Sequence, residues 1–202
     1  MARPREFDED AVLDAAVRCF WSRGYEATSI RHLIENTGLT GASIYNAFGD
    51  KRALYQRALE HYVEGSIGER MKRCQAMEPR AAIEVFLSEI VKRSLDDQQH
   101  RGCMLVNAAL DVTPLDPDFQ TVVASVLSRI EAFFLRCIRR GQADGSIGTM
   151  FNAEDLARHL LGVLMGVRVL ARVRPERALL EGVIGTALAL LEPKVNMVGS
   201  SP

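Results

Sequence analysis

Net charge is nearly absent from this sequence. Lys and Arg total 25 against 26 Asp and Glu, a formal balance of −1 over 202 residues. Such a chain is no polycation, so any contact with nucleic acid has to come from a local basic surface. Cysteines are few and scattered: Cys19, Cys74, Cys103 and Cys137 form no CxxC pair. That spacing argues against a zinc site and for a reduced, cytoplasmic chain. His32, His61, His100 and His159 show no ligand spacing and read as structural. Long apolar runs are missing too. The two longest, "HLLGVLMGVRVLARV" and "ALLEGVIGTALALL", are interrupted by Arg168 and Glu181 and are short for a membrane span. The opening "MARPREFDED" is charged and lacks the apolar stretch of a secretory signal. There is no P-loop, HExxH pair, nucleophile elbow or glycine-rich dinucleotide turn. No catalytic residue, metal ligand or cofactor is therefore predicted, and the chain does not read as an enzyme.

What is present is an ordinary globular composition, 48% hydrophobic and 25% charged, with length enough for a real core. Strand-like runs are short, and the helical period of 3.6 dominates, so the fold class is all-α. A first helix is predicted from about residue 8 to 23. Val12, Ala15, Ala16, Cys19 and Phe20 make one apolar stripe, Asp8, Glu9 and Asp10 suit its N-terminus, and Gly24 ends it. "ATSIRHLIENTG" is a second helix, capped by Thr28 or Ser29 and stopped by Gly38. Its inner face is Ile30, Leu33, Ile34 and Thr37. Thr40 caps a very short helix ending at Phe48, and Asp50 caps a fourth that runs through "KRALYQRALEHYVEGSI". Longer helices follow over about 79–95, 103–111, 117–142, 153–173 and 175–191. The helix after Pro79 is expected to turn inward Ala82, Val85, Phe86, Glu89, Ile90 and Arg93.

This divides the chain into a three-helix module, residues 1–50, and a larger helical body, residues 51–202. Two helices of about eight residues joined at Gly38 match a helix-turn-helix. Leu39, Ile44 and Phe48 are the expected buried positions of its second helix. Gly41, Ala42 and Ser43 are small, which lets a backbone approach DNA closely, and recognition helices use their first residues on base edges. Tyr45 and Asn46 face the other way; asparagine can read adenine and tyrosine can reach a phosphate. The same pattern also suits a short helix that only packs.

The run Ala15 to Tyr55 resembles the N-terminal domain of the tetracycline-repressor (TetR) family. The resemblance rests on Phe20, Gly24-Tyr25, Thr28-Ser29-Ile30, Tyr45-Asn46-Ala47-Phe48 and Lys51. It implies a DNA-binding domain over 1–50 and a ligand-binding and dimerisation domain over 51–202. It further implies a homodimeric transcriptional regulator, usually a repressor, that binds a palindromic operator. A small molecule in the C-terminal body would release it. Carried over, Thr28 and Thr40 would cap helices and touch phosphates, and Gly41, Ala42 and Ser43 would lie on base edges. Tyr45 and Lys51 would meet phosphates and Asn46 a base or phosphate. Relatives often have a basic residue at the place of Gly41, glycine at Ala42 and histidine at Ala47. Base reading here is then expected to lean on Asn46, on Ala42 against thymine methyls, and on an Arg3/Arg5 arm in the minor groove.

In the body, the helix over 153–173 is apolar nearly all round. Leu156, Leu160, Val163 and Val167 form one stripe, and Gly162, Gly166 and Val169 another. With Leu180, Ile184, Ala187 and Leu191 of the last helix, these are expected to form a four-helix dimer interface. The alternative is packing within one chain. A ligand pocket is expected among the middle helices, with Tyr62, Phe86, Ile90, Met104, Asn107, Leu110, Phe119, Phe133 and Cys137 as candidate lining. Cys103 follows Gly102 at a helix start, near His100 and Arg101, a setting that lowers a thiol pKa. A redox- or electrophile-sensing regulator acting through Cys103 is therefore one alternative function. A helical ligand-binding protein without DNA binding is another.

Overall fold

The computed structural model describes residues 7–111 and 116–193. Among them all regular structure is helical. There are ten α-helices: α1 (Glu9–Arg23), α2 (Ile30–Thr37), α3 (Gly41–Phe48), α4 (Lys51–Val63), α5 (Glu69–Gln75), α6 (Pro79–Asp96), α7 (Met104–Asp111), α8 (Pro117–Asp144), α9 (Ala153–Val173) and α10 (Arg177–Ala189). A π-helical turn, Glu64–Gly68, follows α4 directly. The chain forms two compact units, Met1–Glu69 with Cys103–Ser125, and Arg70–Gly102 with Val126–Pro202.

In the first unit, α1 packs on α2 and α4. Phe20, Leu33, Ile44, Leu54, Ala58 and Leu59 are buried there. Aromatic rings extend this core. Phe20 meets Tyr55 edge-on at 4.8 Å, and Tyr55 also lies 5.0 Å from Tyr25 and 5.3 Å from Phe119. Burial pushes the Tyr55 phenol well above its usual range. Side chains satisfy the orphan N–H groups at the helix starts: Asp8 accepts from Asp10 N and Ala11 N, Thr40 from Ser43 N, and Asp50 from Ala53 N. Gly38 closes α2 at φ 72°, a left-handed position that glycine reaches without strain.

Ser29, rather than Thr28, caps α2. Its hydroxyl accepts from His32 N, while the His32 ring accepts from Ser29 N. Thr28 is buried and donates its own hydroxyl to Gly24 O at 2.7 Å, so its side chain is already used. Leu39 is half-buried where full burial was expected. The fourth helix also ends earlier than its apolar pattern suggests. Its last turn widens into the π segment, where Ser66 donates to Tyr62 O at 2.5 Å, and α5 then follows, a helix the apolar pattern does not reveal.

In the second unit, α9 and α10 pack on each other and on α6. Phe86, Phe133 and Phe134 are fully buried, with ring centroids 5.1 to 5.6 Å apart. The inner face of α6 is Ala82, Ile83, Phe86, Leu87, Ile90, Val91 and Ser94. Val85 and Glu89 sit at its margin, and Arg93 is exposed, because the helix turns its aliphatic side chains inward before its charged ones. Gly148 donates to Leu191 O at 2.9 Å. A Cβ there would lie 2.4 Å from the Glu192 carbonyl oxygen, so this turn has room for glycine alone. Asn152 caps α9 by accepting from Asp155 N at 2.7 Å. Among the described residues no helix is long and apolar enough to cross a membrane.

Candidate nucleic-acid interface

The candidate site is α3 and the ends of its neighbours. Ile44 and Phe48, one turn apart, are 0% and 7% exposed and hold α3 on its unit. The opposite face is wet: Tyr45 is 50% exposed, and Ala42 and Asn46 are exposed. Gly41, Ser43 and Ala47 are half-buried at its edges. Thr40 fixes the N-terminal turn twice, accepting from Ser43 N at 3.1 Å and lying 2.9 Å from the Ser43 hydroxyl. A polar aromatic and an amide are thus presented on a short, capped helix. That arrangement suits entry into a groove as wide as the major groove of DNA.

Lys51 opens α4, where a cation opposes the helix dipole at a cost of roughly 0.3–1 kcal/mol. Its ammonium is held instead over the Tyr25 ring, 4.3 Å from the centroid, and donates to Glu26 O at 3.4 Å. A basic group kept at a position that helix stability disfavours fits an anionic partner. Arg31, 86% exposed on α2, pairs with Glu35 at 2.9 Å, and so exposed a pair contributes little to stability. The arm residues Arg3 and Arg5 lie outside the described residues.

The expected pocket residues fall in both units. In the first, Met104 and Phe119 are buried, Tyr62 and Asn107 are half-buried, and Leu110 is 70% exposed. Tyr62 donates to the Cys103 sulfur at 3.6 Å and stacks edge-on with Trp21 at 5.2 Å. Cys103 is buried and immediately precedes α7. In the second, Phe86, Ile90, Phe133 and Cys137 are core residues, and burial pushes the Cys137 thiol up to about 11. None of these lines the 620 Å³ cavity of that unit, a groove between α6 and α10 bordered by Val85, Glu89, Lys92, Arg177, Glu181 and Ile184 among others.

Of the expected interface residues, Leu156, Leu180, Ile184, Ala187 and Leu191 are buried in the unit's own core. Each helix turns this part of its apolar stripe toward its own neighbours. Of the expected α9 positions, Gly162 and Val169 are exposed, and Val163 and Gly166 are half-buried. A feature missed in the sequence lies on the inner side: Arg70 and Arg168 are only 1% and 8% exposed. Arg168 breaking an otherwise apolar helix was the signal that could have found the second of them.

The chain matches known proteins along most of its length. Residues 12–58 fit the model of the bacterial regulatory proteins of the tetR family, and residues 79–186 fit that of the tetracyclin repressor-like C-terminal domain. The uncharacterized HTH-type transcriptional regulator YezE of Bacillus subtilis (strain 168) is 28% identical over 198 residues, covering 95% of this chain and 100% of the relative. The HTH-type transcriptional repressor ComR of Escherichia coli (strain K12) is 28% identical over 190 residues, 93% of this chain and 90% of that one. Among solved structures, a cysteine mutant of the TetR family transcriptional regulator CifR complexed with 26bp double-strand operator DNA aligns with a TM-score of 0.81. It is 35% identical over 93% of this chain and 98% of the other.

Proposed function

The chain belongs to the TetR family of transcriptional regulators, and from that premise we propose how it uses its parts. Residues 1–50 bind operator DNA, and residues 51–202 hold the small-molecule effector and a second copy of the chain. The observation that carries this reading is α3, whose Tyr45–Asn46 face is bare while Ile44 and Phe48 anchor it. As a homodimer the protein presents two such helices about 34–36 Å apart, or a multiple of a DNA turn, to the halves of a palindrome. The effector acts by favouring the form that does not fit DNA; a ligand with equal affinity for both forms shifts nothing. Repression, as in the named repressor relatives, is the direction of control.

The test is fluorescence anisotropy with labelled duplex from the protein's own upstream region across a salt series. Tyr45→Ala and Lys51→Ala should weaken every sequence alike, and Lys51→Ala, which removes a cation, should flatten the log–log salt slope by about one. Asn46→Ala should change sequence preference, with roughly 1–3 kcal/mol less discrimination at one base pair. Unchanged affinity in all three variants would rule out α3 as the reading helix.

A second reading is supported by the Tyr62–Cys103 contact. In this reading Cys103, with the Tyr62 hydroxyl on its sulfur, senses electrophiles. Cys103→Ser should then hold operator DNA in the presence of N-ethylmaleimide while the parent releases it; equal release from both rejects this reading.

A further inference from the structure

Two arginines are buried in the second unit with too little negative charge to match them. Arg70 on α5 is 1% exposed. Its Nε donates to Glu89 Oε2 at 3.0 Å, but the same carboxylate oxygen also takes a hydrogen bond from Arg73 at 2.7 Å. Nη1 of Arg70 is buried and has no acceptor. Arg168 on α9 is 8% exposed and donates from Nη1 to the Ser94 hydroxyl at 3.0 Å, a neutral partner. Both Arg168 and Arg93 push the Arg70 guanidinium in the same direction as its burial does, below its usual range. Arg70 thus shares one carboxylate, itself about one-third exposed, with Arg73, while Arg168 and Arg93 add like charge around it. Burying a charge so poorly paired is costly. The unmet N–H of a buried guanidinium is a hydrogen bond available to an anionic oxygen.

The chemistry of a matching anion follows from the surroundings. A guanidinium presents a planar fork of donors that fits a carboxylate. The neighbouring core is aromatic: the Arg70 guanidinium lies 5.5 Å from the Phe86 ring centroid, and Phe86 packs on Phe133 and Phe134. Glu89, bonded to Arg70, also lines the groove between α6 and α10. We propose that Arg70, with Arg168 behind it, binds the carboxylate of an organic acid with an apolar body, and that such an acid is the effector. This rests on the proposed function for its regulatory meaning, but the binding site stands on Arg70 and Arg168 alone.

The test uses the full-length protein with two probe acids, phenylacetate and octanoate. Phenylacetamide, octanamide and sodium sulfate at matched ionic strength serve as controls, read by thermal unfolding and calorimetric titration. At least one acid should raise Tm where its amide and sulfate do not. Arg70→Met and Arg168→Met should each raise the half-saturating concentration roughly tenfold or more, the loss expected for a charged hydrogen bond. Without ligand, Arg70→Met should change stability little, since Glu89 keeps its bond to Arg73 while a poorly paired buried charge is replaced by a flexible apolar chain of similar reach. Should that variant fold poorly, Arg70→Lys keeps the charge without the fork and should retain a weakened response. Protection by neither acid, protection equalled by the amides or sulfate, or a response unchanged in the arginine variants overturns the site. Operator binding is measured on the same samples. Carboxylate binding without any operator affinity in the parent would leave the site standing and reject the regulatory reading. Binding of both, with no release of DNA by the acid, would reject the effector assignment.

Discussion

Thr40 shows what a single hydroxyl does at the DNA-facing edge. It accepts from Ser43 N and lies in hydrogen-bond contact with the Ser43 side chain, so it fixes the first turn of a helix only eight residues long. Thr40→Ala should cost about 1 kcal/mol of stability, read as a lower urea midpoint with an unchanged slope. Operator affinity should fall with it, because the same turn carries Gly41, Ala42 and Ser43. Glu89 makes a second residue-scale case. Burial opposes its charge, but hydrogen bonds from Arg73 and Arg70 prevail and hold its carboxyl below the usual 4.5. A depressed pKa means that the folded state binds its proton less readily than the unfolded chain. Its stabilisation is therefore complete above pH 4.5 and is lost as the pH falls below it. Glu89→Gln should flatten the decline of Tm on that acid side, and an unchanged decline would show that other carboxylates set it. Caps such as Thr40, Asp50 and Asn152 were legible in the sequence because each stands alone before an apolar periodic run. Thr28 and Ser29 were not separable, since two adjacent hydroxyls offer the same signal and only the backbone geometry decides which one faces the N–H groups.

At the scale of elements, the anchoring of α3 depends on two side chains. Ile44 is fully buried in a unit whose helices are short. Ile44→Ala should cost roughly 2–5 kcal/mol, and Ile44→Val about 0.5–1.5. Denaturant titration followed by circular dichroism separates the two. The valine variant should keep operator binding, whereas the alanine variant should lose it together with the cooperative transition of the first unit. The short helices of this unit were readable because glycine and capping residues bracket them closely. The stretch after Val63 was not. A π turn has no periodicity that an α-helical template recognises, and α5 carries "ERMKRCQ", in which Arg70 is buried beside Met71 and Cys74. A charged residue facing inward erases the apolar stripe by which a helix is found. The same displacement explains α6, where the expected inner face included Glu89 and Arg93 while the packed one runs through Ile83, Leu87 and Val91.

At the scale of the whole molecule, the proposed assembly turns on residues that packing within one chain leaves open. A Cβ added at Gly162, Gly166, Gly182 or Gly185 would meet nothing within 4 Å. Packing within the chain therefore does not require glycine there, and helix propensity disfavours it by about 1 kcal/mol per residue. Four glycines on two neighbouring helices carry that cost, which close approach of a second copy would offset under the proposed dimer. Val169, 42% exposed on the same helix, adds apolar surface for such a contact. These positions also isolate association from folding. Gly162→Gln with Gly166→Gln introduces long side chains into open space, so the helical signal in circular dichroism should hold or rise slightly. Light scattering should then report a monomer where the parent is a dimer. Operator affinity should drop steeply, because each half-site is engaged singly, while binding to an isolated half-site should stay the same. A double variant that remains dimeric would place the contact elsewhere on the surface. A monomer with full operator affinity would detach dimerisation from palindrome reading altogether.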